Sequence, residues 1–229
     1  MLPDAAKDWI RDAWADLLQK EQWSQANYVF QFEKEFAAFC RRERCVAVSN
    51  GTVGLWLAAR SLAQKTGARD AIVPAMTVPM VKWAMSQAGL RVREVDVERD
   101  FLISSSEVLK AVEDRERTLQ APPLVVVVWT AGIITDRVIQ LIAKLKEKGV
   151  PVLEDASHAH GASFEDVKGN VSRAGQFGDL AVFSMFSSKV LSMGEGGERG
   201  YCRRRFKGRT PGTRTSPRAA RRPARASAA

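Results

Sequence analysis

Cysteine and histidine are scarce in this chain, with three Cys and two His in 229 residues. Cys40, Cys45 and Cys202 have no framework spacing. That excludes a disulfide-stapled secreted domain and fits a reduced, cytoplasmic protein. Both histidines, His158 and His160, stand in one segment, VLEDASHAHGA. Asp155 precedes them, so the segment reads either as a metal site or as an orienting carboxylate. The missing Cys/His cluster elsewhere favours the second. Long apolar runs are absent too. The longest are strand-sized, such as Leu124 to Trp129, too short for a membrane-spanning helix. The N-terminus, MLPDAAKDWIRDAWADLL, mixes acids and bases where a signal peptide would carry an uninterrupted apolar segment.

Excess charge is also absent from most of the chain, although the net charge is +9. From Glu198 onward there are ten Arg and one Lys against one Glu, which leaves 24 bases and 25 acids in the first 197 residues. The body is neutral, so nothing in its charge points to nucleic acid. The tail, GERGYCRRRFKGRTPGTRTSPRAARRPARASAA, has almost no aliphatic residues and no period. It is expected to be disordered over 198–229. A basic tail could bind nucleic acid, but this one offers only Tyr201 and Phe206 for stacking and no sequence-reading module.

What is present is an alternation of helix and strand periods. Ile10, Trp14, Leu17 and Leu18 share one face of a helix over Pro3 to Lys20, and Val29, Phe32, Phe36 and Phe39 make a second helical stripe. Residues 1–42 therefore form a helical lead-in. Strands follow at Cys45–Val48, Ala71–Val73, Val92–Val97, Leu124–Trp129, Val150–Leu153 and Leu180–Phe183. Helices lie between them at Val53–Leu62, Val78–Ala88, Ser105–Val112 and Arg137–Lys148. This order predicts an α/β fold with a mostly parallel sheet covered on both faces. In such sheets functional groups gather at the carboxyl ends of the strands.

Three segments fall there. Ser49-Asn50-Gly51-Thr52 joins a strand to a helix, an arrangement that aims free amides at an anion; the same residues also make an ordinary helix cap. Glu154-Asp155 ends a strand. FSMFSSKVLSMGEGG places Lys189 past a buried strand, among Ser184, Ser187, Ser188 and Ser192. Desolvation of an amine there frees the lone pair that Schiff-base chemistry needs; an exposed loop lysine is the plainer reading.

In order, FEKEFAAFC, VAVSNGTVGLWLA, AIVPAMTVPM, VREVDV, the Gly132 to Asp136 region, PVLEDASHAHGA and FSMFSSKVLSMGEGG resemble the DegT/StrS family of sugar and cyclitol aminotransferases. The resemblance runs from Phe32 to Gly197. It implies a fold-type I large domain over residues 1–197 with pyridoxal 5'-phosphate (PLP) as cofactor. It further implies a keto-sugar or keto-cyclitol substrate, glutamate or glutamine as amino donor, and a homodimer. Lys189 matches the lysine that forms the Schiff base. Asp155 matches the aspartate facing the pyridinium nitrogen. Ser184, Gly51 and Thr52 match phosphate-binding positions, and His158 stands where many members hydrogen-bond the ring hydroxyl through a glutamine. The Ser-His pair and the Ser-Ser-Lys run are closest to cyclitol-type members.

Two departures stand out. Val78 occupies a position usually held by an aromatic residue that stacks on the cofactor. After GEGG, the family's further strand and smaller C-terminal domain are not recognisable, as though the reading frame had shifted or the end degenerated. A poorly active or inactive aminotransferase is the expectation, with a non-catalytic remnant or a tail-mediated nucleic-acid binder as alternatives. A chain ended at Gly197 is expected to keep the cofactor as well as the whole chain does.

Overall fold

The computed structural model describes residues 3–20, 27–117 and 121–193, and the backbone of 201–203. Residues 21–26 and 118–120, the glycines of GEGG and the rest of the basic tail lie outside the described residues.

Two helices lead in, α1 (Asp4–Lys20) and α2 (Asn27–Phe39). Then strands and helices alternate: β1 (Arg44–Val46), α3 (Gly51–Thr66), β2 (Asp70–Pro74), α4 (Pro79–Gln87), β3 (Arg91–Val95), α5 (Ser105–Arg117), β4 (Leu124–Val128), α6 (Asp136–Glu147) and β5 (Val152–Asp155). A hairpin, β6 (Ser163–Glu165) and β7 (Val171–Arg173), precedes β8 (Leu180–Val182) and β9 (Tyr201–Arg203). Among the described residues the main sheet runs β1-β9-β8-β5-β4-β2-β3. The ladders from β3 through β2, β4 and β5 to β8 are parallel, and β9 is antiparallel to both its neighbours. The mostly parallel α/β architecture expected from the sequence is therefore present.

Period two inside β4 explains its unbroken apolar run. Val125 and Val127 enter the core layer that holds Phe36, Val138, Leu141 and Leu145. Leu124 and Val126 enter the opposite layer, with Leu55, Ala59, Val81 and Met85. A strand covered by helices on both faces has no polar side to show. The aromatic stripe of α2 joins the first layer through Phe36, which meets Phe183 edge-on at 5.1 Å between ring centroids. Among the described residues the apolar face of α1 is only partly covered: no residue of α1 is buried, Trp9, Trp14 and Leu18 are exposed, and Trp9 meets the Tyr28 ring of α2 edge-on at 6.4 Å.

The hairpin was not legible as a periodic segment. Its turn is local chemistry: Asp166 Oδ1 accepts from Lys168 N at 2.8 Å and Asn170 N at 2.9 Å, and Gly169 takes a φ of 79°.

Within the segment expected to be disordered over 198–229, Tyr201–Arg203 form a short strand, and the rest of that segment lies outside the described residues. These three residues lie inside the sheet, pairing with Arg44–Val46 on one side and Leu180–Val182 on the other. Among the described residues β9 is the one strand that joins β1 to the rest of the sheet. A backbone ladder needs no side-chain period, so a three-residue strand leaves no pattern to read. A chain ended at Gly197 lacks β9 and its pairing with β1 and β8. That chain would leave β1 without its described strand partner, held by packing under α2 and by Cys45 in the core, and β1 leads straight into the Gly51–Thr52 turn. At about 0.5–1.5 kcal/mol per lost backbone hydrogen bond, amide exchange over residues 45–53 should speed up by roughly ten- to a hundredfold relative to the whole chain. Unchanged exchange would show that β9 contributes nothing to this corner.

Candidate active site

At the carboxyl edge of the sheet the loops after five strands enclose a cleft of about 610 Å³. Gly51 and Thr52 come from the β1–α3 turn, Met76 to Met80 from the β2–α4 turn, and Trp129 and Thr130 from the end of β4. Asp155, Ser157 and His158 follow from β5, and Ser184, Phe186 and Lys189 from β8. All six residues singled out from the sequence, Gly51, Thr52, Asp155, His158, Ser184 and Lys189, line this one cleft.

Each is placed by a local cause. Asn50 caps α3, its side chain accepting from Val53 N at 3.0 Å. The cap takes the third amide of the first turn. Those of Gly51 and Thr52 have no partner within the helix, by its geometry, and stay at the cleft wall. The plain cap and the anion site are thus both present, on adjacent residues. Asp155 ends β5 between β4 and β8, in register with Val128 and Val182. Its Oδ1 accepts from Ser157 N at 3.0 Å, which turns the chain toward His158. Gly132 makes room for that loop: a Cβ there would stand 3.0 Å from the His158 carbonyl, at a φ of 77°. After β8 the chain turns, with Lys189 N donating to Phe186 O at 2.8 Å and Met193 N to Met185 O at 3.1 Å. This returns the half-buried Lys189 over the cleft. Ser184 is buried, whereas Ser187 and Ser188 are exposed and do not line the cleft.

Asp155 is 3% exposed. Burial pushes its carboxyl above the ordinary range, opposed by hydrogen bonds from Ser157 and by the charges of His158 and Lys189. A cation brought against it would relieve that cost. His158 is held below its ordinary value by burial first and by the Lys189 charge second, with Asp155 pulling the other way. Among the described lining residues Lys189 is the one lysine or arginine. Thr77 adds a buried hydroxyl with no partner among the described residues. No group of three or more His, Cys, Asp or Glu able to hold a metal gathers among the described residues.

Val78 lines the cleft from the N-cap of α4 and is half exposed. Two aromatic walls escaped sequence reasoning. Phe186 lies inside the Lys189 motif, three residues before the lysine, and that spacing was the available signal. Trp129 closes the apolar run of β4 and reads as core, which it also is: it is fully buried.

His160 packs behind the cleft, its ring 5.4 Å from that of Phe183. Burial pushes it down to about 4, and the charges of Lys189 and His158 add to this. Above the ordinary value of 6.5 the imidazole is neutral in both folded and unfolded chains. As pH falls from 6.5 toward 4, the unfolded chain gains a proton that the folded one resists, so stability falls. After allowance for partial solvent screening, about 2 kcal/mol should be lost across that window. Urea melts at several pH values should show the loss in the wild type and a flatter profile in His160→Gln. Identical profiles would remove His160 as the cause.

The sequence profile of the DegT/DnrJ/EryC1/StrS aminotransferase family matches residues 5–198. The chain is 32% identical over 194 residues to 3-amino-5-hydroxybenzoate synthase of Amycolatopsis mediterranei (strain S699), covering 83% of this chain and 46% of that protein. It is 29% identical over 195 residues to L-glutamine:scyllo-inosose aminotransferase of Streptomyces griseus, covering 80% and 42%. The crystal structure of 3-amino-5-hydroxybenzoic acid synthase superposes with a TM-score of 0.73 at 27% identity, over 90% of this chain and 50% of that one. The chain thus spans less than half the length of these curated relatives. The match over residues 5–198, which contains every strand-end residue of the cleft, shows that the chain belongs to the DegT/DnrJ/EryC1/StrS aminotransferase family.

Proposed function

We propose that this chain carries the cofactor-binding half of a PLP-dependent aminotransferase. Its substrate would be a keto-sugar or keto-cyclitol, its amino donor glutamate or glutamine. The observation that carries the reading is the convergence of Lys189, Asp155, Ser184 and the Gly51–Thr52 turn on one cleft from separate strand ends.

The family's cofactor is pyridoxal 5'-phosphate, and the cleft fits it in size and in donor set. When bound, it supplies an electron sink that makes the hydrogen on the donor's amine-bearing carbon acidic. The chain's residues divide the remaining work. The first amides of α3 and the hydroxyls of Thr52 and Ser184 would take the phosphate, where the helix N-terminus favours an anion. Asp155, buried and raised by that burial, would hold its negative charge only against a cation, which a protonated ring nitrogen provides. His158 would reach the ring hydroxyl through its imidazole N–H. Lys189 would hold the cofactor through its amine and later move the proton between carbons. Trp129 and Phe186 wall the cleft where Val78 gives no stacking surface.

Substrate class rests on family membership and on the scyllo-inosose relative. Around the cleft mouth Met76, Val78, Met80 and Phe186 are each about half exposed, a surface suited to a second copy of the chain in a homodimer. No helix among the described residues is long and apolar enough to cross a membrane, and a cytoplasmic site of action accords with the scarce cysteine.

Borohydride reduction of the whole chain with saturating PLP tests the reading. Peptide mapping should find the label on Lys189 alone. A label on another lysine, or no label, would remove the assignment.

A further inference from the structure

A second cavity, of about 370 Å³, lies on the flank of α6 and shares no lining residue with the cleft. Its wall is divided. Ile142 of α6 and Phe177 give an apolar side; Arg41, Lys146, Ser172 and Gln176 give a polar one. No acidic side chain is among the described lining residues.

Two features of the polar side are unexplained by folding alone. Arg41 has a φ of 49°, in the left-handed region where glycine is favoured. It sits just past α2, with Arg41 N bonded to Ala38 O at 3.0 Å and Arg42 N to Ala37 O at 2.8 Å, the closing pattern of a helix that normally ends on glycine. An arginine held in a strained conformation calls for a use of its side chain. The guanidinium donates from one nitrogen to Val171 O, at 3.3 Å. That contact engages one of its five N–H groups. Gln176 is the second feature. Its Oε1 accepts from Arg173 N at 3.2 Å, which fixes which end of the amide is which. Its Nε2 is shut off from solvent and has no hydrogen-bond partner among the described residues. A buried orphan donor is costly and asks for an acceptor. Lys146, bonded to Phe177 O, brings a further positive charge to the rim.

We propose that this cavity binds a small organic carboxylate with an apolar body. The carboxylate would meet Arg41 and, after a turn of the Gln176 side chain that brings its shut-off Nε2 to the cavity, that amide; the body would lie on Ile142 and Phe177. The split wall decides the class. A planar fork matches a carboxylate, and an aliphatic and aromatic surface gives nothing to an inorganic anion. The site is independent of the cleft and of its proposed chemistry.

Benzoate is the probe, titrated by calorimetry into the whole chain, with inorganic phosphate as the comparison. Saturable benzoate binding tighter than about 1 mM is expected. Arg41→Gly and Gln176→Leu should each weaken it by about tenfold or more. Arg41→Gly should do so without lowering the melting temperature, because glycine suits the backbone there. The proposal fails if benzoate does not saturate, if both variants bind it as the wild type does, or if phosphate binds equally well. It also fails if Arg41→Gly melts earlier with benzoate affinity intact, since Arg41 would then serve only its bond to Val171.

Discussion

Replacing Glu154 by leucine is expected to destabilise the fold by about 3–5 kcal/mol, a large share of the ~5–15 kcal/mol that holds a domain together. Glu154 is 0% exposed. Its two oxygens accept four hydrogen bonds, all from fixed donors. Oε1 accepts from Gly178 N at 2.5 Å and from an Arg42 guanidinium nitrogen at 3.3 Å. Oε2 accepts from Trp129 Nε1 at 2.8 Å and Gly175 N at 2.9 Å. Arg42 is buried as well, and bonds on to the carbonyls of Gly175 and Gly178. Leucine would strand a buried guanidinium, two buried amides and an indole N–H together.

Glutamine should rescue little. Whichever way its amide is turned, its NH₂ faces two donors, so Glu154→Gln should still cost about 2 kcal/mol or more. The double change Arg42→Met with Glu154→Leu should recover part of the loss, because it removes the stranded charge along with the acceptor. Urea melts of the four chains would measure this. Single variants as stable as the wild type would mean that water reaches the pair. The glycines on either side cannot be filled to compensate. A Cβ at Gly178 would stand 2.9 Å from the Val152 carbonyl, and one at Gly175 2.7 Å from the Phe183 ring. The same network reaches the cleft, since the indole that Glu154 holds belongs to Trp129, one of its walls.

None of this was visible in the order of residues. Arg42 stands in CRRER and reads as solvated charge, and its partner lies 112 positions away. Glu154 next to Asp155 reads as a polar strand end, yet the two side chains leave the strand on opposite faces. The resemblance singled out Asp155, but the structural role of Glu154 is legible only in its three-dimensional neighbourhood. By contrast the cleft itself was legible, because each of its groups follows a strand in a short contiguous motif. Apolar runs marked β2, β4, β5 and β8, and small residues marked the turns after them. The chain entering α3 could be read both as a cap and as an anion site, and Asn50 and Gly51–Thr52 divide those roles. What failed were the elements that depend on partners far along the chain: β9, whose three residues have no period, and the β6–β7 hairpin, whose strands are too short for one.

If the proposed site exchanges the glutamate α-proton with solvent deuterium, measured by NMR with PLP present, replacing Lys189 by alanine is expected to slow that exchange by at least about a thousandfold relative to whatever rate the whole chain shows. General acid–base groups contribute roughly 10²–10⁴, and this residue would also lose its part in holding the cofactor. Proton removal needs a base within reach of the donor's carbon, and geometry limits the candidates. Lys189 lines the cleft on a loop closed by two backbone hydrogen bonds. Asp155 is buried at the sheet edge and bonded to Ser157 N, and in the proposed reading it faces the ring, so it is poorly placed to receive that proton. His158 is the rival. It lines the same cleft, and burial keeps its imidazole neutral, and so able to accept a proton, down to a lower pH than usual. The two roles separate by paired variants. If Lys189 is the base, Lys189→Ala loses exchange, and His158→Gln keeps most of it, since glutamine can still bond the ring hydroxyl. If Lys189→Ala exchanges at the wild-type rate and His158→Gln does not, the proton passes through His158. Lys189 would then be no more than a charged residue at the rim of the cleft.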